Sequence, residues 1–318
     1  MRALVTGASG FVGRHLRRHL EAEGDEVISC DHVDGVDITD RTAVGDLFGR
    51  VRPDVVYHLA GWSDVGGSWA SPVETFRANA EGTLHVLLAS AEAGVDRVVA
   101  VSSADVYGTV TEDELPIGED APLRPVSPYA VSKVAADFLG LQAWLGRRLA
   151  VVRVRAFNHL GPGQSTRFVA PAIAERIARN ELIGTEVVPV GATTPRRDFT
   201  DVRDVVRAYR LLALRGEPGA AYNVCSGSDV SIGSLAQRLL AMATSPMRLE
   251  RDPTLSRPVE VPVLRGDNRR LRAITGWTPQ HPLAETLADL LDDCRRRARA
   301  ASAGPAGNVR RVSGPEAR

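Results

Sequence analysis

Short apolar runs alternate with longer stretches of helical character through the first half of the chain. Arg2 to Thr6, with Ala3-Leu4-Val5-Thr6 at its heart, reads as a strand and passes through Gly7-Ala8-Ser9-Gly10-Phe11-Val12-Gly13 into a helical stretch reaching Leu20. Glu26 to Cys30 reads as the next strand, residues 40–50 as a helix, and Val55 to Gly61 as an apolar strand closing on small residues. A helix from about Pro72 to Ala93 carries Asn79 in its middle. Val98 to Val101 and Ala150 to Arg155 are further buried strands, separated by an Ala-rich helix that runs to Trp144. This alternation predicts an α/β fold built on a doubly wound parallel sheet.

Beyond residue 156 the pattern loses that regularity. Phe157 to Gly163 reads as a loop, Phe168 to Asn180 as a helix, and Pro195 to Asp201 as a lead-in to a helix from Val202 to Leu214. Ala221 to Cys225 returns as a strand, Ser231 to Ala243 is helical, Pro253 to Pro262 is a proline-rich loop, and Pro282 to Ala300 is a closing amphipathic helix. Most of these pieces are too irregular to extend the sheet and predict a smaller, interleaved C-terminal substrate lobe. The expected division is 1–157 plus 198–226 for a dinucleotide-binding domain, 158–197 plus 227–300 for the lobe, and 301–318, rich in Ala, Gly, Pro and Arg, for a disordered tail. No internal repeat is visible.

Composition narrows the partner. Acidic and basic residues balance at 39 each, so no net field recruits nucleic acid or an anionic membrane, and a small molecule is expected instead. Cys30, Cys225 and Cys294 are odd in number and form no C-x-x-C pair, which predicts a reducing compartment and no structural zinc. His15 and His19 stand four apart, but Leu16-Arg17-Arg18 between them carries no carboxylate, so they read as an exposed basic face and no metal site. The chain opens directly on a strand and no apolar run approaches the ~20 residues of a membrane span, from which cytoplasmic residence is expected.

Chemistry concentrates at one basic position. Lys133 is the only lysine; every other basic site is arginine. A compact ammonium and a planar guanidinium fork are not interchangeable where one donor must reach past a neighbour. Ser127 followed by Pro128 reads as an N-cap and first helical residue, which puts Tyr129 and Lys133 on one helix face. A cation beside a phenol favours phenolate, so Lys133 is expected to draw the tyrosine pKa down from about 10 and make it a usable acid and base. Ser103, at the end of a parallel strand next to that helix, is placed to hydrogen-bond a carbonyl or alcohol.

The glycines at Gly7, Gly10 and Gly13 let backbone approach a pyrophosphate at a helix N-terminus. Asp31 follows Gly13 by 18 residues, near the ~20 expected for an acid that binds the adenosine ribose hydroxyls. A carboxylate there repels a 2′-phosphate, so NAD(H) is favoured, with NADP(H) left possible by His32 and the nearby arginines.

Together, Thr6-Gly7-x-x-Gly10-Phe11-x-Gly13, Asp37-Ile38, His58-Leu59-Ala60, Asn79, the Ser103 loop and Tyr129-x-x-x-Lys133 resemble the extended short-chain dehydrogenase/reductase superfamily, a Rossmann-like fold. The second half is most similar to GDP-4-dehydro-6-deoxy-D-mannose reductases, through Arg155 to Ser165, Arg197 to Asp204, Tyr222 to Gly227, Ser256-Arg257-Pro258 and Thr275-Gly276-Trp277. The resemblance implies NAD(P)H-dependent reduction of a nucleotide-linked 4-keto-6-deoxy sugar, GDP-4-dehydro-6-deoxy-D-mannose to GDP-D-rhamnose. Ser103 would polarise the C4 oxygen, Tyr129 pass the proton, and Lys133 hold the nicotinamide ribose. Cofactor contacts are implied at Gly7, Gly10, Phe11, Val12, Gly13, Asp31, Asp37, Ile38, Leu59, Ala60, Gly61, Asn79, Ser102, Tyr129, Lys133 and Phe157. The sugar nucleotide would meet Ser63, Ser103, Asn158, Arg197 and Arg257. A homodimer through the Tyr129 helix and the helix before it is also implied. Two departures bear on this. Relatives often use NADPH, which Asp31 disfavours. Asp105 stands where 4,6-dehydratases carry a glutamate base, one methylene longer, and reads as a turn-stabilising residue. A 4-epimerase or, further off, a 4,6-dehydratase that retains its NAD is the alternative, and a non-catalytic dinucleotide-binding protein a third.

Overall fold

In the computed structural model, which describes residues 1–255 and 261–303, Ala3, Leu4 and Val5 are wholly buried within a parallel sheet. They belong to β1 (Arg2–Thr6), which feeds α1 (Phe11–Ala22) through the glycine turn. β2 (Glu26–Cys30) and α2 (Arg41–Val51) follow, the helix capped by Asp40, whose carboxylate accepts from the Thr42 and Ala43 amides at 2.9 and 3.0 Å. Next come β3 (Val55–His58), then α3 (Pro72–Phe76) and α4 (Gly82–Glu92), joined without a break by a π turn over Arg77–Glu81. β4 (Arg97–Ser103) leads to α5 (Pro128–Arg147), which opens as the sequence predicts: the Ser127 hydroxyl accepts from the Ala130 amide at 3.1 Å and Pro128 occupies the first turn.

The second half contributes β5 (Val151–Ala156), β6 (Asn158–Leu160), α6 (Val169–Ile183), β7 (Val187–Val190) and β8 (Arg196–Asp201). After them run α7 (Val202–Arg215), β9 (Ala221–Val224), β10 (Asp229–Ser231), α8 (Ile232–Leu240) and β11 (Arg248–Arg251). β12 (Val263–Leu264), α9 (Arg269–Thr275) and α10 (Leu283–Ala303) close the described chain.

The main sheet has six parallel strands in the order β2-β1-β3-β4-β5-β9, the doubly wound α/β architecture expected. Chain order reverses between β1 and β3, and a crevice opens there at the carboxyl ends of the strands. One face of the sheet is covered by α1 and α7 through Leu16, Leu20, Val205 and Leu212; the other is covered through Phe48, Val86, Leu87 and Ala143 from α2, α4 and α5. Full burial of each of the Leu, Val and Phe side chains among these contributes about 1.5–3 kcal/mol. A separate apolar cluster joins α6, α8 and α10 through Ile173, Ile177, Leu235 and Leu290.

Four expectations need correcting. The run 158–163 is not all loop: β6 pairs in parallel with β8, Asn158 opposite Phe199. Likewise 196–201, expected as a lead-in, is a strand whose Arg197, Asp198, Thr200 and Asp201 are buried. Its charges conceal it, and they are tolerated because Asp198 accepts from the Ser226 and Gly227 amides at 2.8 and 2.9 Å. The helix expected from Pro72 to Ala93 carries a π turn at Asn79. Residues 301–303, assigned to the tail, still belong to α10.

Candidate active site

A cavity of about 520 Å³ lies at the carboxyl ends of β1, β3, β4 and β5. Its floor at one end is the glycine turn. Gly7 has φ +71°, and a Cβ there would lie 2.8 Å from the Ala60 amide nitrogen; one on Gly13 would lie 2.2 Å from the Gly7 carbonyl oxygen. Only glycine permits so tight a turn. α1 begins at Gly10 with no side-chain cap and no acid in its first turn, so the first amides and the positive end of the helix dipole are left for an anion. Phe11 and Val12 line the wall beside it.

Asp31 stands at the far edge of this end. Its Oδ2 accepts from the Ser9 amide at 3.0 Å and the Ser9 hydroxyl at 2.6 Å, and its Oδ1 from the His32 amide at 2.7 Å. Burial raises the carboxyl pKa, but the Ser9 and His32 hydrogen bonds outweigh it, and Asp31 is held below the ordinary range. Asp37 and Ile38 lie next along the wall, Asp37 fixed by the Thr39 amide and hydroxyl, both at 2.8 Å.

Leu59, Ala60, Gly61 and Ser63 continue the lining after β3. Asn79 does not join them: the π turn aims it behind the wall. There its Oδ1 accepts from the Trp62 amide at 2.8 Å while Nδ2 donates to the Trp62 carbonyl and the Ser132 hydroxyl at 3.1 and 2.8 Å. It therefore ties the loop after β3 to α5. Below the floor, His58 is pinched between the Thr6 and Thr83 hydroxyls at 2.8 and 2.9 Å, and burial, with the Lys133 charge nearby, drops its pKa to about 3. His58 is thus a neutral strut.

At the other end the strands bring together Ser102, Ser103, Tyr129 and Lys133, with Phe157, Asn158 and Arg197 facing them from the second half. The Ser103 hydroxyl donates to Asp105 at 3.0 Å and accepts from the Asp105 amide at 3.2 Å. Ser102 donates to the Lys133 carbonyl at 3.1 Å. The Lys133 ammonium donates to the Val101 carbonyl at 3.2 Å and sits 6.0 Å from the centre of the Tyr129 ring. Arg197 donates to the Arg196 carbonyl at 2.8 Å. Arg257 lies outside the described residues.

The electrostatics correct one expectation. Burial pushes the Tyr129 phenol up from its ordinary value, the Asp105 charge adds to this, and hydrogen bonding with Ser103 opposes it. The same burial lowers the Lys133 ammonium to about 8. Lys133 does not draw the phenol down in this state, because desolvation acts on both groups and the ammonium is directed at Val101.

The residues 3–225 match the model of the NAD dependent epimerase/dehydratase family. The chain belongs to that family. Within it, the chain is 39% identical to the GDP-6-deoxy-D-mannose reductase of Pseudomonas aeruginosa over 94% of its own length and 98% of the relative's. It is 31% identical to the UDP-glucose 4-epimerase of Mycolicibacterium smegmatis over 93% and 99%. The structure of RMD from Pseudomonas aeruginosa complexed with NADPH superposes with a TM-score of 0.86 at 37% identity, covering 93% of this chain and all of that one. The Thermus thermophilus UDP-glucose 4-epimerase complex with NAD gives 0.84 at 30%, covering 93% and 99%. The extended short-chain dehydrogenase/reductase expected from the motifs is thereby borne out.

A nicotinamide dinucleotide, the cofactor of this family, suits the residues present: a glycine cradle that a Cβ would fill, an uncapped helix start, and a buried amide oxygen, Gln164 Oε1, that lacks a partner. Several wall residues escaped sequence reasoning, among them Ser9, Trp62, His159, Gln164, Phe168 and Tyr209. Ser9 was signalled only by lying inside the glycine loop, and Gln164 only by closing the Gly161-Pro162-Gly163 turn.

Proposed function

We propose that this protein reduces a nucleotide-linked 4-keto-6-deoxy sugar with NAD(P)H, converting GDP-4-dehydro-6-deoxy-D-mannose to GDP-D-rhamnose. One observation carries the reading: Ser103, Tyr129 and Lys133 converge at one end of a cavity that starts at Asp31 and the glycine loop, in a chain similar over 94% of its length to a GDP-6-deoxy-D-mannose reductase. The bound nicotinamide supplies the hydride for C4. Tyr129 gives the proton that the C4 oxygen needs, and burial keeps it in the protonated, donating form at neutral pH. Ser103 turns its hydroxyl from Asp105 to the C4 oxygen and steadies the charge developing there. Lys133, anchored to the Val101 carbonyl, holds the ribose beside Tyr129. Asn158 and Arg197 bind the sugar nucleotide, the guanidinium matching a diphosphate. The carboxylate of Asp31 favours NADH over NADPH.

A 4-epimerase uses the same three residues, and the similarity to UDP-glucose 4-epimerases favours it as the second reading. Yet an epimerase must first take a proton from a hydroxyl, which the raised pKa of Tyr129 opposes. The chain functions as a homodimer through α5. Val131, Phe138 and Leu145, spaced by seven along that helix, are 46, 52 and 62% exposed and form one apolar stripe. Among the described residues no helix is long and apolar enough to cross a membrane.

Stoichiometry separates the readings. With GDP-4-dehydro-6-deoxy-D-mannose, a reductase consumes one reduced cofactor per sugar and stops when it is exhausted. Turnover of nucleotide sugars with no added reductant and with copurified NAD supports the epimerase.

A further inference from the structure

Each hydride delivered to a ketone must be matched by one proton, and Tyr129, having given its own, is left as a phenolate that solvent has to recharge. Both Tyr129 and Lys133 are buried, and the Lys133 ammonium is directed at the Val101 carbonyl, 3.2 Å away. Water therefore needs another way to the phenol.

Asp105 lines the same cavity and, unlike those two groups, is partly exposed. Its carboxylate is used differently from the other aspartates nearby. Asp31, Asp37 and Asp198 each accept from backbone amides and so fix a loop. Among the described residues, Asp105 accepts from the Ser103 hydroxyl at 3.0 Å, from no backbone amide, and meets no cation. The turn here is closed in the opposite direction, by the Asp105 amide donating to the Ser103 oxygen at 3.2 Å. The carboxyl group holds no backbone in place.

Ser103 is the link. A serine hydroxyl has one hydrogen and two lone pairs. Its hydrogen points to Asp105, and hydrogen bonding joins the same oxygen to the Tyr129 phenol. Tyr129, Ser103 and Asp105 thus make a continuous chain from a buried phenol to a carboxylate at the edge of solvent. The other charged or titrating groups facing the phenol are Lys133 from its own helix and Tyr209 from α7, with Arg197 of β8 and His159 after β5 on the cavity wall. Among the described residues, no side-chain hydrogen bond ties any of these four to Ser103.

We propose that Asp105 returns a proton from solvent to Tyr129 through Ser103 after each turnover. The proposal rests on the reading of Tyr129 as the proton donor. The Tyr129 O–H bond breaks as the C4 oxygen takes its proton. Ser103 then passes its hydrogen to the phenolate and accepts one from Asp105, which takes its own from water. One solvent proton enters for each hydride consumed, and every protein group regains its starting state. Asp105 is a positioning residue in this scheme, since it meets the phenol only through Ser103. In Ser103→Ala a water can occupy the place of the hydroxyl and conduct protons in its stead, so the path is isolated by substitutions at Asp105.

The test compares the first turnover with later ones. NADH oxidation in the presence of GDP-4-dehydro-6-deoxy-D-mannose is followed by stopped flow for wild type and for Asp105→Asn, which keeps the shape and the acceptor for Ser103 but takes up no proton. The variant is expected to oxidise the first NADH per site at close to the wild-type rate and then to slow about tenfold or more. Its slow phase should accelerate when imidazolium, a small acid able to reach the phenolate once product has left, is added at fixed pH and ionic strength. Wild type shows neither effect. A variant that does not slow, or whose first and later turnovers slow together, overturns the proposal. So does a slow phase indifferent to imidazolium, which marks slow product release instead. Should Asp105→Asn not fold, Asp105→Leu, which also fills the place without a titrating group, must give the same two phases and the same acceleration. Wild type that oxidises no NADH with this sugar overturns the reductase reading and the proposal with it.

Discussion

Ser9 and Asp31 are joined by two hydrogen bonds to one carboxylate oxygen, from the Ser9 hydroxyl at 2.6 Å and the Ser9 amide at 3.0 Å. The glycine loop is thereby tied to the end of β2, and the carboxylate is kept ionised at the point proposed to receive a dinucleotide's adenosine ribose. A second phosphate there meets a like charge about 4 Å away, worth on the order of 1–4 kcal/mol depending on solvent access. NADH should therefore bind at least tenfold tighter than NADPH, and Asp31→Asn should narrow the ratio mainly by improving NADPH. Fluorescence titration of both cofactors checks this; tighter NADPH binding by the wild type contradicts it.

Tyr129→Phe removes one oxygen and leaves the packing. It should lower kcat by about 10²–10⁴-fold with the cofactor Kd unchanged. Ser103→Ala should cost about 10²–10³-fold, because only an oxyanion donor is lost. Steady-state kinetics beside cofactor titration separates these outcomes from a loss of fold.

Lys133 titrates near 8 in the native state and near its ordinary 10.5 in the unfolded chain. Between those values the unfolded state binds the extra proton, so stability rises with pH from about 8 until tyrosines begin to ionise near 10. Below 8 the buried ammonium imposes a constant penalty of roughly 3 kcal/mol at most. Lys133→Met should consequently raise the ligand-free Tm at pH 7 and flatten its rise above pH 8, while abolishing turnover. Thermal denaturation against pH gives the answer; a lower Tm at pH 7 would contradict the burial argument.

Asn79→Leu leaves the Trp62 amide and carbonyl without the partners they have at 2.8 and 3.1 Å. A loss of about 1–3 kcal/mol in denaturant unfolding is expected, with weaker cofactor binding because the Gly61 to Ser63 wall loosens.

Much of the architecture was legible because local signals and the sheet agreed. Gly7 and Gly13 are forced by backbone contact, and Ser127-Pro128 announced a helix start that the Ala130 amide completes. What stayed hidden depends on residues distant in sequence. β6 and β8 are short and polar; β6 becomes a strand by pairing with β8, and β8 by pairing with β6, β10 and β12, all distant in sequence. The π turn at Asn79 has no sequence period of its own, because it is set by where the Asn79 amide must reach. Ser103 and Lys133 could be placed in the site from strand and helix registers, whereas the direction of the Tyr129 shift could not, since burial is a property of the assembled cavity. Gln164 looked like an ordinary polar turn residue until its oxygen proved buried and unpaired.

The central claim is that this cavity carries hydride to C4 of a nucleotide-linked ketosugar and that Tyr129 protonates the oxygen. The direct measurement follows deuterium from NADH labelled stereospecifically at the nicotinamide C4 into the product of GDP-4-dehydro-6-deoxy-D-mannose, by NMR and mass spectrometry. One deuteron at sugar C4, from one face of the cofactor, with the rate cut at least a hundredfold by Tyr129→Phe, is the predicted result. Product without label, or turnover indifferent to the loss of that phenol, contradicts it.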